Sequence, residues 1–196
     1  MFLNKTRLKK WVKDAYNRSG LIVGRVYGGL VVSGGTWITW TMDGYVPNWA
    51  KAAVMEYTGE LPKPGCVFKA KKDEPIQYEI AENDLLNLPE VYQKAKVPFI
   101  VTPIVYDDKW NEYRFVQNRD LSTIYAVSTY LYDVLDLREL GEESRPTGPV
   151  ATSDSGDMLL WKNEQSALAI FKMNISSDTV GVMDILETYS FKEEAI

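Results

Sequence analysis

Three sets of residues in this 196-residue sequence could do chemistry. Asp107-Asp108 is one, and Asp154 with Asp157 is the second. Closely spaced carboxylates of this kind can hold a divalent cation that activates water. Both sets fall where turns are expected, and Asp is favoured in turns because its side chain bonds the nearby backbone. The third set is cationic. Lys5, Lys9 and Lys13 recur at every fourth residue, with Lys10 beside them, Arg18 after them and Lys51 further on. Such a row can meet phosphates, or it can be an ordinary solvated helix face. The chain has no histidine. That removes the commonest general base and metal ligand, and with them Ser-His-Asp and Cys-His catalysis and a Cys/His zinc site. Cys66 stands alone, so no internal disulfide is expected. These residue types point to a non-catalytic protein with no cofactor and no metal.

The charge is unevenly distributed. Seven basic residues against Asp14 give the first 25 residues a charge of +6, so with a total of −5 the other 171 carry −11. An acidic body with one basic segment is polarised, as proteins that touch a polyanion often are. A second candidate for phosphate binding is the glycine-rich stretch "GLIVGRVYGGLVVSGGTWITWT", residues 20 to 41. A P-loop needs Gly-Lys-Ser or Gly-Lys-Thr, and the sequence has neither; a dinucleotide fingerprint needs its glycines between a strand and a helix. Here they lie between β-type runs, so they read as hairpin turns and close backbone packing.

The elements that must position these residues follow from periodicity. Leu8, Trp11, Val12 and Ala15 share one face of a helix over residues 5 to 18, with the lysine row beside it and Gly20 as its stop. "LIVGRVY", "LVVS" and "TWITWTM" are three strands, the first two joined through Gly28-Gly29. Trp37 and Trp40 have opposite parity, which sends them to opposite faces. "YVPNWAKAAVMEYTGELPKPG" holds a helix begun by Pro47 and ended by Gly59 and Pro62. "CVFKAKK" pairs with "PIQYEIA", and "ENDLLNLPEVYQKAKV" gives a short helix restarted at Pro89. "PFIVTPIVY" and "EYRFVQN" form a hairpin. A second long helix is expected from Leu121 to Leu140, and three strands from Val150 to Met173 with turns at Ser155-Gly156 and Asn163-Glu164. The tail from Ser176 fits helix or strand.

A helix followed by a three-stranded meander thus occurs twice. "GLIVGRVYGGLVVSGGTWITWTM" aligns in pattern with "GPVATSDSGDMLLWKNEQSALAIFKM", Gly29 against Gly156. With the Val46-Pro47 helix, Leu61-Pro62 and Pro64-Gly65, this order resembles the DNA sliding-clamp family, processivity factors of the bacterial DNA polymerase III β-subunit type. The resemblance implies an α+β fold of antiparallel sheets with two long helices and two clamp-like helix-plus-meander repeats. It divides the chain into a clamp-like domain at residues 1–112 and a shorter one at 113–196. It implies a DNA-encircling or DNA-holding protein that supports replication without catalysis. Lys5, Lys9, Lys10, Lys13, Arg18 and Lys51 would face DNA irrespective of its sequence. A DNA polymerase is the implied partner. The chain would be a homo-oligomer, since two domains per chain need three chains for a six-domain ring.

Two other functions fit the same residues. Trp11, Trp37, Trp40, Trp49 and Tyr45 beside the basic segment could stack single-stranded bases. Tyr125, Tyr130 and Tyr132, with Leu131 and Leu135, could form the interface of a protein-binding scaffold. No apolar run nears 18 residues, so no membrane span is expected. The charged first turns lack the apolar region of a signal peptide, so a cytoplasmic setting is expected and the sequons at Asn17 and Asn174 carry no meaning.

Overall fold

A computed structural model describes residues 1–78, 84–109, 111–120, 123–137, 140–175 and 177–191. The lysine-bearing segment is helix α1 (Lys5–Asn17), and Leu8, Trp11, Val12 and Ala15 are its buried stripe, as the spacing requires. Asn4 caps it: its side-chain oxygen accepts from the Thr6 and Arg7 N–H groups, both at 3.0 Å. Three strands follow, β1 (Leu21–Val26), β2 (Gly29–Ser33) and β3 (Trp37–Met42), paired antiparallel in sequence order.

The first hairpin turns one residue earlier than the glycine doublet suggests. Val26 pairs with Gly29, so the two loop residues are Tyr27 (φ 55°) and Gly28 (φ 71°). Two positive φ angles match the twist that joins antiparallel strands most directly. Gly29 itself lies in β2 and serves close packing. A Cβ there would stand 2.4 Å from the Thr41 carbonyl oxygen and 2.6 Å from the Trp40 indole nitrogen.

Helix α2 (Asn48–Thr58) leads to β4 (Val67–Ala70) and β5 (Gln77–Tyr78), which pair. The remainder of the expected "PIQYEIA" strand, and the first residues of the segment after it, lie outside the described residues. A 3₁₀ turn and α3 (Leu88–Lys94) then precede a long strand, β6 (Val97–Asp107), which forms the expected hairpin with β7 (Glu112–Asn118). Next come β8 (Ile124–Ser128), a single helical turn α4 (Thr129–Tyr132), and the meander β9 (Thr147–Ala151), β10 (Met158–Lys162) and β11 (Ser166–Phe171). Helix α5 (Ser177–Leu186) takes up the first part of the ambiguous tail, whereas residues 176 and 192–196 lie outside the described residues.

The expected helix over residues 121 to 140 is therefore corrected. Its described residues give a strand and one turn, whereas 121–122 and 138–139 lie outside them. Ile124, Tyr125 and Val127 are β-branched or aromatic, and Tyr113 to Gln117 offer them a full antiparallel partner. Tertiary pairing outweighs the helical spacing of the apolar residues here. The fold is mixed α and β, and the sheet dominates it.

All strands belong to one antiparallel sheet ordered β5-β4-β1-β2-β3-β11-β10-β9-β6-β7-β8. Its middle joint pairs β3 with β11, from Trp37 opposite Ile170 to Thr41 opposite Ser166. The two meanders thus meet edge to edge, and the sheet runs across position 112. Around the joint the strands are buried on both faces, which explains their continuous apolar runs. Trp37 faces one layer, with α1, α2 and the segment after α4; Trp40 faces the other, beneath α3. The opposite parity of the two indoles holds. A third cluster packs β7 and β8 against α5.

The run from β11 to β8 curls back on itself. The Met173 N–H, just beyond β11, donates to the Ala126 carbonyl in β8 at 3.0 Å. Strands at opposite ends of a six-strand series can bond only if the series bends round. The Ile124 N–H is also taken, by the Glu187 carboxylate at 3.0 Å.

Candidate nucleic-acid interface

Helix α1 lies between α2 and the segment 130–136, and each flank of the helix matches its neighbour. Tyr16 packs against Tyr57 of α2 with ring centroids 5.2 Å apart. On the other flank Arg7 pairs with Asp133 at 3.2 Å, and the Tyr130 hydroxyl donates to Asp14 at 2.7 Å. The Asn4 N–H donates to the Val134 carbonyl at 2.7 Å, and the Asp136 N–H to Phe2 at 2.9 Å. Trp11 sits beneath, 0% exposed, its ring 5.0 Å from Trp37 and 6.3 Å from Tyr130. The helix is thereby fastened to residues more than a hundred positions away.

With both flanks and the base occupied, the outward side of α1 is fixed. At 100° per residue, Lys9, Lys10 and Lys13 point away from the buried stripe, and Lys5 lies toward α2. All four are exposed. Among the described residues none of them forms an ion pair. The Lys10 ammonium rests 4.9 Å from the centroid of the Tyr130 ring. Arg18 is exposed at the far end of the helix, and Lys51 is half-buried on α2. The structure therefore brings Lys5, Lys9, Lys10 and Lys13 onto one helix surface, with Arg18 and Lys51 on its two sides. Burial holds the Tyr130 hydroxyl well above its ordinary pKa, and the Asp14 hydrogen bond and charge reinforce this. Sequence spacing gave no sign of the Asp14–Tyr130 link, because its two halves come from distant segments.

This charge order works against the helix itself. The positive end of a helix dipole lies at its N-terminus, where acidic residues are favourable and basic ones are not. The first turn of α1 has no acidic residue, and the last turn has no basic one. Lys5, Lys9 and Lys13 also repel one another at i, i+4 spacing, by about 0.2–0.5 kcal/mol per pair.

Of the carboxylate candidates, Asp108 and Asp157 are engaged in structure. Asp108 accepts from the Asn111 N–H at 2.7 Å and from the Tyr113 hydroxyl at 3.0 Å. Asp157 pairs with Lys172 at 2.5 Å, and the Ser155 hydroxyl donates to it at 2.5 Å. The Lys172 and Ser155 bonds hold the Asp157 carboxyl below the usual range. Among the described residues no three His, Cys, Asp or Glu side chains gather as a metal site. Trp11, Trp37 and Trp40 are core residues, so they offer no stacking platform; Tyr45 is 54% exposed, and Trp49 is half-buried. Tyr125 lies in β8 whereas Tyr130 and Tyr132 lie in α4, so the expected single-helix interface is not formed. No helix among the described residues is long and apolar enough to cross a membrane.

No protein-family model, curated protein or solved structure matches this chain.

Proposed function

We propose that this chain is a non-catalytic DNA-holding protein that grips the phosphate backbone through α1 without reading sequence. The charge order of α1 carries this reading. A solvated face shaped for stability mixes signs and places acids at the N-terminal turn. This helix does the reverse on an otherwise acidic chain, and that arrangement gains energy only when a polyanion arrives. Backbone phosphates suit it, since they neutralise lysines and release condensed counterions.

The form we propose is clamp-like. Two three-stranded meanders joined antiparallel at β3 and β11 support this form, although only the first follows a full helix, α1, and the second follows the single turn α4. Replication support, a polymerase partner and assembly of several copies into a ring belong to the same proposal. A ring retains DNA by topology, so four lysine contacts suffice.

Fluorescence anisotropy with a labelled duplex tests the grip. Four phosphate contacts give a slope of log K against log salt of about −3.6. The double variant Lys9→Glu, Lys13→Glu should lose at least tenfold in affinity at low salt. Its melting temperature should stay level or rise, because Lys5 gains an opposite charge at position 9 while the 9–13 pair stays like-charged as before. A variant that binds as tightly as the wild type, or a wild type that ignores duplex at low salt, overturns the reading. Retention on closed circular DNA with release on linearisation, alongside light-scattering mass, tests the ring.

A further inference from the structure

Beside the lysine surface lies an open cleft of about 590 Å³, within the range of small-ligand sites. Four segments build it: the C-terminal half of α1, the β2–β3 turn, the entry to α4, and the chain leaving β11. Trp11 and Trp37 contribute its apolar base, and Gly34 and Gly35 leave the turn without side chains to obstruct it. Several polar groups converge on it and remain uncommitted. Arg18, Thr36, Ser128 and Asn174 all line the cleft, and none of their side chains forms a hydrogen bond or ion pair among the described residues. The other charged groups are occupied: Asp14 by the Tyr130 hydroxyl, and Lys172 by Asp157.

The available chemistry is thus one free guanidinium with hydroxyl and amide groups around it. A guanidinium presents a planar fork of donors that suits phosphate. The path to it is continuous with the lysines, because Tyr130 lines the cleft and carries Lys10 over its ring. A paired duplex is a rod too wide to enter a recess of this size. Arg18 stands exposed at the rim, so an unpaired nucleotide can set its phosphate there while its sugar and base turn into the recess.

Resting on the DNA-holding reading, we infer that the cleft takes one unpaired nucleotide at a single-strand to duplex junction. Its phosphate meets Arg18, and its sugar or base edge meets Thr36, Ser128 and Asn174. The protein therefore prefers a duplex with a single-stranded overhang to the same duplex with blunt ends.

The test compares blunt and overhanging duplexes by anisotropy, for the wild type and for Asn174→Trp and Thr36→Glu. The first variant fills the mouth of the cleft and the second places a negative charge in it. Overhangs should bind at least tenfold more tightly than blunt ends. Both variants should abolish that increment while blunt-duplex affinity stays as in the wild type. Equal affinity for the two duplexes, or an increment that both variants leave intact, overturns the inference without touching the grip by α1. Thymidine 5′-monophosphate titrated alone, followed by the fluorescence of Trp11 and Trp37, probes the cleft independently of any duplex. Saturable quenching that Thr36→Glu removes supports the inference. Inorganic phosphate binding as tightly as the nucleotide overturns it in favour of a simple anion site.

Discussion

The two meanders share a joint but are completed by different means. The first, β1 to β3, is covered by two full helices side by side, α1 and α2, and its outermost strands are the short β4 and β5. The second, β9 to β11, is preceded by one helical turn, and its run of strands bends round until Met173 reaches Ala126. The first hairpin has a two-residue loop, whereas β9 and β10 are linked by a longer loop that holds Ser155 and Asp157. Similar strand patterns can thus close their core with helices or with more sheet. What joins the two solutions is α1, which lies over the joint and bonds to residues 130–136.

Four substitutions can break or sharpen this contrast. Trp11→Ala should have the largest effect, a loss of about 3–5 kcal/mol, because the indole is fully enclosed between the halves. Urea unfolding read by circular dichroism and by tryptophan fluorescence should still give coincident transitions. Separate transitions would mean that the halves are independent and that α1 does not couple them. Gly29→Val comes next, at about 1–3 kcal/mol, since the added carbons collide with the Thr41 carbonyl and the Trp40 indole. Hydrogen exchange should show that damage concentrated in β1 to β3.

Asn4→Ala should cost about 1 kcal/mol by removing the α1 cap, read as a lowered melting temperature. The smallest effect belongs to the second side. Lys172→Met removes the partner that holds the Asp157 carboxyl low. The pair is largely exposed, so the loss should be no more than about 0.5 kcal/mol at neutral pH. A depressed carboxyl stabilises the fold above its unfolded pKa, so the gap between variant and wild type should close as pH falls through the acid range. A gap that widens in acid would contradict the assigned cause.

Local pattern carried much of the fold. The stripe Leu8, Trp11, Val12 and Ala15, the three strands to Met42, the helix after Pro47 and the hairpins all obey short-range periodicity. The split of Trp37 and Trp40 between layers follows from parity alone. The segment from Ile124 to Tyr132 defied this reading, because its apolar spacing suits a helix while its partner strand, β7, decides otherwise. The β3–β11 joint spans more than a hundred residues and has no local signature. The lysine surface was legible as a row of one residue type. The cleft was not, because Arg18, Thr36, Ser128 and Asn174 belong to four separate stretches of chain.

The curl of the second meander restricts how copies of this chain could add to one another. On β8, the Ala126 carbonyl and the Ile124 N–H that face outward are already satisfied within the molecule. On the opposite border the described strand offers only Gln77 and Tyr78. At those two positions of β8 a second copy therefore finds no free main-chain group to pair with. A copy that approached β8 there would have to meet side chains, helices or loops instead of extending the ladder.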